Sequence, residues 1–228
     1  MKVVSKMKDC AIWYSLSHYD IYHKYTIEMH KNYPLYEATI ENSTEGIYTI
    51  SLVDMPAVES DFFYFKKEEK TLNFRVENEE KRLISGVIMR ADHPIYRISP
   101  NGQEYFIQFS KETIEKMAEK MLLDHSHNNI NLQHNPQNYV ENVNLREIFI
   151  KNTAKGINPK GFETIEEGSL FATYKVNDDN VWQSIKDGEF KGFSLEGCFS
   201  SYEVEMESEA QLLEDILGLL KEIENKNK

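Results

Sequence analysis

The chain has 228 residues, 40% of them hydrophobic and 28% charged, which suits one large folded domain or one domain with appendages. Its net charge of −12 argues against a nucleic-acid backbone as a direct partner and is compatible with basic protein partners. Two distant cysteines, Cys10 and Cys198, offer neither a disulfide framework nor a zinc spacing, and a reducing compartment is the simpler reading.

Residues 1–36 are rich in Tyr and His with weak periodicity and read as a peripheral arm. They lack the apolar core and cleavage site of a signal peptide. No run in the chain reaches the roughly 20 apolar residues that span a bilayer, so neither secretion nor a membrane partner is expected. The run 46-GIYTISLV-53 is β-branched and apolar, a buried strand that Asp54-Met55-Pro56 brings to an end. The segments 61-DFFYFKK-67 and 72-LNFRVE-77 alternate like a hairpin with one wet face. Residues 82–98 read as a strand, a loop at Asp92–Pro94 and a second strand; Asn101-Gly102 is a hairpin turn before the strand 103-QEYFIQF-109. Ser110 then caps a helix whose stripe is Ile114, Met117, Ala118 and Met121. After a polar loop, short strands follow at 130–135, 144–150 and 169–176. A helix starting at Asn177–Asp179 carries Val181, Trp182 and Ile185 and closes at Gly188. The next strand, containing 190-FKGFSLEGCF-199, runs to about Val204, and a helix capped by Ser208 and Gln211 ends the chain with the seam Leu212, Ile216, Leu219 and Ile223. Such a seam, about two heptads long, is compatible with self-association but short for strong dimerisation. Strands in meanders with few helices predict an α+β, mainly β chain: an antiparallel β-barrel surrounded by helices. The organisation predicted is an arm over 1–36, a barrel domain over 37–206 and a C-terminal amphipathic helix over 207–228.

Phosphate-loop, dinucleotide and zincin motifs are missing, and no cofactor is expected. His125 and His127, beside Asp124, could share a strand face, yet no third metal ligand is evident. His134, at the end of 130-INLQHN-135, falls on the side of Ile130 and Leu132 by alternation. It reads either as a hydrogen-bonded histidine at the core edge or as the general base of a nucleophile. Ser194, set between Gly192 and Gly197, reads either as a serine at a loosened bend or as a nucleophile whose small neighbours admit a substrate carbonyl. The GxSxG elbow of the α/β-hydrolases is not present.

Four segments in this order resemble one family: 46-GIYTISLVDMPAVESDFFYF-65, 104-EYFIQFSKETIEKMAEK-120, 131-NLQHN-135 and 169-SLFATYKVNDDNVWQSIKDGEFKGFSLEG-197. The chain resembles the phage prohead, or capsid maturation, serine proteases, in particular the divergent branch of large tailed phages such as the crAss-like group. That resemblance implies a herpesvirus-protease-like fold, with His134 as the catalytic histidine and Ser194 as the nucleophile. It also implies capsid and scaffold proteins as substrates and a place in the host cytoplasm inside the assembling procapsid. In the better-known members a strand resembling WEVSLVxxPA follows the serine strand and carries the acidic member. Here the similar run, 48-YTISLVDMPA-57, precedes the histidine; it reads either as a circular permutation of the barrel, in which case Thr49 occupies the acidic position, or as a coincidence of two β-branched strands. Asp54 and Glu147 are the candidates for the third member, against solvated carboxylates. Two other readings stay open: a non-catalytic capsid-assembly or scaffold protein with the protease fold, and an unrelated β-rich binding module.

Overall fold

A computed structural model describes residues 6–11, 33–54, 75–78, 81–99 and 101–204. The hairpin expected at 61–77 lies mostly outside these residues, and the C-terminal helix wholly so.

The strands in chain order are β1 (Lys6–Ala11), β2 (Leu35–Thr39), β3 (Gly46–Val53), β4 (Arg75–Asn78), β5 (Leu83–Met89), β6 (Ile95–Ile98), β7 (Glu104–Phe109), β8 (Ile130–Leu132), β9 (Asn135–Tyr139), β10 (Val143–Ile150), β11 (Leu170–Val176) and β12 (Gly192–Val204). They form two sheets. The eight-stranded sheet runs β6-β7-β2-β12-β3-β8-β9, with β1 also paired to β12, and the four-stranded sheet runs β10-β11-β5-β4. The mainly β expectation holds, but the antiparallel barrel does not: among the described residues neither sheet closes on itself. Two pairings, β2 with β7 and β3 with β8, are parallel.

The sheets share one core. Ile50 and Leu52 of β3 are fully buried, as are Leu170, Ala172 and Tyr174 of β11. The Tyr174 ring meets Phe193 of β12 at 5.4 Å between centroids, joining the two sheets. Each large apolar side chain so buried contributes about 1.5–3 kcal/mol. The long helix α1 (Lys111–Leu123) buries the predicted stripe Ile114, Met117, Ala118 and Met121, and Ser110 caps it by accepting from the Thr113 N–H. It packs on β3. The shorter helix α2 (Asp179–Lys186) is capped by the Asp178 carboxylate, which accepts from the Asn180 and Val181 N–H groups at 2.9 Å each. Gly188, at φ 77°, ends it and releases the chain into β12.

One composition-based expectation is overturned. Cys198 is disulfide-bonded, and Cys10, the only other cysteine in the chain, stands opposite it in the β1–β12 register. Sequence distance said nothing about a pairing that antiparallel strands bring about. Among the described residues no helix is long and apolar enough to cross a membrane.

Candidate functional site

The middle of the large sheet carries a row of polar side chains. Register pairs Ser194 of β12 with Ser51 of β3, Ser51 with Asn131 of β8, and Asn131 with Tyr139 of β9. Residues paired directly across strands project from one face, so the row crosses four strands. The alternate residues Ile50, Leu52 and Phe193 turn the other way, into the core. Glu196, two residues beyond Ser194, shares the polar face and stands opposite Thr49 in the register.

His134 reaches this face through a backbone device. Leu132 pairs with Asn135, which leaves Gln133 and His134 as a two-residue hairpin turn. Both have positive φ, 54° and 55°, as in a type I′ turn, where Asn-Gly is the favoured pair. A left-handed backbone costs a residue with a Cβ roughly 1–2 kcal/mol. The turn is held to the sheet by the Gln133 N–H, which donates to the Leu52 carbonyl at 3.0 Å. The expectation that the strand continues to residue 135 with His134 on the side of Ile130 and Leu132 is therefore corrected. The strand stops at Leu132, and the reversal carries His134 to the Asn131 side.

There His134 is 5% exposed, and its Nδ1 lies 3.0 Å from Glu196 Oε1 and 3.0 Å from Ser51 Oγ. The same Glu196 oxygen accepts from Asn131 Nδ2 at 2.7 Å and lies 2.9 Å from Ser51 Oγ. Ser51 donates to Asn131 Oδ1 at 2.5 Å. Below this group, Thr49 Oγ1 lies 3.1 Å from the Tyr139 hydroxyl. His134 Nε2 is buried and has no hydrogen-bond partner among the described residues. Burial holds the His134 pKa below its ordinary value of 6.5; the hydrogen bond and charge of Glu196 oppose that, and the charge of Arg97 adds to it. An imidazole kept neutral, with one nitrogen tied to a carboxylate and the other bare, has the form a general base requires.

The sequence-based candidates fare differently. Ser194 is 4% exposed and shares the face of Glu196 and Ser51. No hydrogen bond joins its Oγ to Nε2. Asp54 is exposed at the end of β3, where its N–H donates weakly to Gln133 Oε1 at 3.4 Å. Glu147 is exposed on β10, in the other sheet. Neither carboxylate is brought to His134; Glu196 is. Gly197 does not leave space for a substrate: a Cβ there would lie 2.4 Å from the Gly46 carbonyl and 2.6 Å from the Phe199 ring. It serves close approach of β3 to β12 at the irregularity between Glu196 and Gly197. His125 caps a 3-10 turn that contains His127, so the two do not share a strand, and no cluster of metal-ligating residues occurs among the described residues.

Glu196, Ser51 and Asn131 went unread in the sequence. Glu196 had one available signal, its place two residues from Ser194 on a strand. Register supplies the rest: Glu196 faces Thr49 and shares the polar face of Ser51 and Ser194.

A carboxylate-tethered histidine and a serine on one sheet face are the elements of a serine hydrolase site. Residues 71–203, more than half the chain, match the family described as "Putative phage serine protease XkdF". The chain belongs to that family of phage serine proteases. No curated protein and no solved structure matches it.

Proposed function

We propose that this protein is a serine endopeptidase of phage head maturation, with Ser194 as nucleophile, His134 as general base and Glu196 as the carboxylate that orients it. The observation carrying the reading is the state of His134: Nδ1 tied to Glu196 at 3.0 Å and Nε2 bare on the face that bears Ser194. In the reaction, Ser194 Oγ attacks the peptide carbonyl carbon and its proton passes to His134 Nε2. Glu196 stabilises the imidazolium that forms. The tetrahedral intermediate then expels the amine, which takes the proton from Nε2, and water hydrolyses the acyl-enzyme by the same route. Capsid and scaffold proteins are the substrates in this reading, and the assembling procapsid is the place of action.

One feature favours a second reading, an assembly protein that keeps the fold without the activity: Ser194 and Nε2 are not hydrogen-bonded. Catalytic contacts are commonly looser without substrate, so this does not displace the first reading. Co-expression with the major capsid and scaffold proteins, with Ser194 intact or as Ser194→Ala, separates the two. The peptidase yields cleaved partners only with Ser194 intact; identical banding in both refutes it.

A further inference from the structure

We infer that Ser51 and Asn131 are positioning residues that dictate which nitrogen of His134 carries its hydrogen. The inference rests on the peptidase reading for its purpose, though not for its test. Both residues are fully buried, at 0% exposure, in a position where serine and asparagine gain nothing from water.

The bonding is directional. Asn131 Nδ2 donates to Glu196 Oε1 at 2.7 Å. The reverse amide orientation would set two oxygens against each other at that distance, so Asn131 Oδ1 must face Ser51. The Ser51 hydroxyl has one hydrogen, and two oxygens compete for it: Asn131 Oδ1 at 2.5 Å and Glu196 Oε1 at 2.9 Å. Both are acceptors only. Whichever receives it, Ser51 offers His134 a lone pair and nothing else. Glu196 Oε1 also offers only lone pairs. Nδ1 thus faces two acceptors, each at 3.0 Å, and must carry the hydrogen. Nε2 is left with its lone pair. A lone Glu196 could turn away; with Asn131 gripping its oxygen and Ser51 filling the angle, it is held. The charged groups acting on His134 are Glu196 from β12 and Arg97 from β6.

The test reads the ring itself, in the full chain with Ser194→Ala to prevent cleavage. Long-range proton–nitrogen NMR of His134 should show a neutral ring with hydrogen on Nδ1 alone. Asn131→Leu, of nearly equal size, removes both the donor to Glu196 and the acceptor of the Ser51 hydrogen. The Ser51 hydroxyl can then donate to Nδ1, and part of the ring hydrogen should move to Nε2. Cooperative thermal unfolding of the variant shows that the ring is read in the folded chain. Ser51→Ala, made with Ser194 intact, should slow labelling of Ser194 by a fluorophosphonate about tenfold, and Ser51→Cys should recover part of that loss. Hydrogen on Nε2 in the parent, or on Nδ1 alone in folded Asn131→Leu, overturns the inference. If the ring behaves as expected while no partner is ever cleaved, the peptidase reading fails and the positioning stands.

Discussion

Replacing Glu196 by glutamine removes one charge and almost no volume, and the structure sets the size of the effect. In the proposed attack His134 becomes an imidazolium with its Nδ1 3.0 Å from the carboxylate oxygen. Both side chains are largely shielded, at 5% and 13% exposure. At an effective dielectric of about 20, unit charges at that separation attract by roughly 5 kcal/mol. Glutamine loses that term. It can also turn its amide so that an N–H faces Nδ1, which moves the ring hydrogen to Nε2 and removes the base. Five kcal/mol corresponds to nearly four orders of magnitude in rate. The assay is the second-order rate of fluorophosphonate labelling at Ser194, which needs no known substrate. It is run beside thermal unfolding, to show that the variant is folded. Glu196→Gln should label about 10³–10⁴ times more slowly than the parent. A folded variant that labels within a factor of three would refute the assignment of Glu196 and the electrostatic argument together.

Four further outcomes are expected. Because burial holds His134 below 6.5 in the folded state, the unfolded chain binds the extra proton first, so stability is fully present above pH 6.5 and declines as pH falls through the folded value; urea titrations should show this loss in the parent and not in His134→Gln, and the acid limb of Ser194 labelling should lie below 6.5. Gly197→Ala should destabilise by about 1–3 kcal/mol in the same titration, through collision with the Gly46 carbonyl, and an unchanged midpoint would show that β3 and β12 can part without cost. Gln133→Asn should stabilise by about 0.5–1 kcal/mol, since Asn tolerates the left-handed turn better; a lower melting temperature would argue against strain there. Reduction of the disulfide at Cys198 should cost about 2–5 kcal/mol, and non-reducing peptide mapping should recover Cys10 linked to Cys198; two free thiols in the oxidised protein would contradict this.

Much of the fold was legible because its signals are local. The run of β3 announces itself by β-branched residues, α1 by a stripe at helical spacing, and α2 by Asp178 at one end and Gly188 at the other. The site was legible only in part because register is not local. Ser194 and His134 carry residue types that invite chemistry, whereas Ser51 and Asn131 are bland until three strands align them. The turn at Gln133 and His134 hid itself for a different reason. Nothing in a Gln-His pair signals a left-handed backbone, and tertiary contacts to Leu52 and Glu196 hold the chain where its own preference would not. The barrel failed for the same reason as the disulfide: which strand pairs with which is decided across the whole chain.

The polar row has a consequence for timing. Its members come from β3, near the start of the chain, from β8 in the middle, and from β12, near the end. A ribosome delivers Ser51 and His134 well before Ser194 and Glu196. Until β12 has emerged and settled against β3, His134 lacks Glu196 and the sheet lacks Ser194, the proposed nucleophile. Synthesis order would thus act as a safety catch for the proposed peptidase, which is incomplete until β12 has been made.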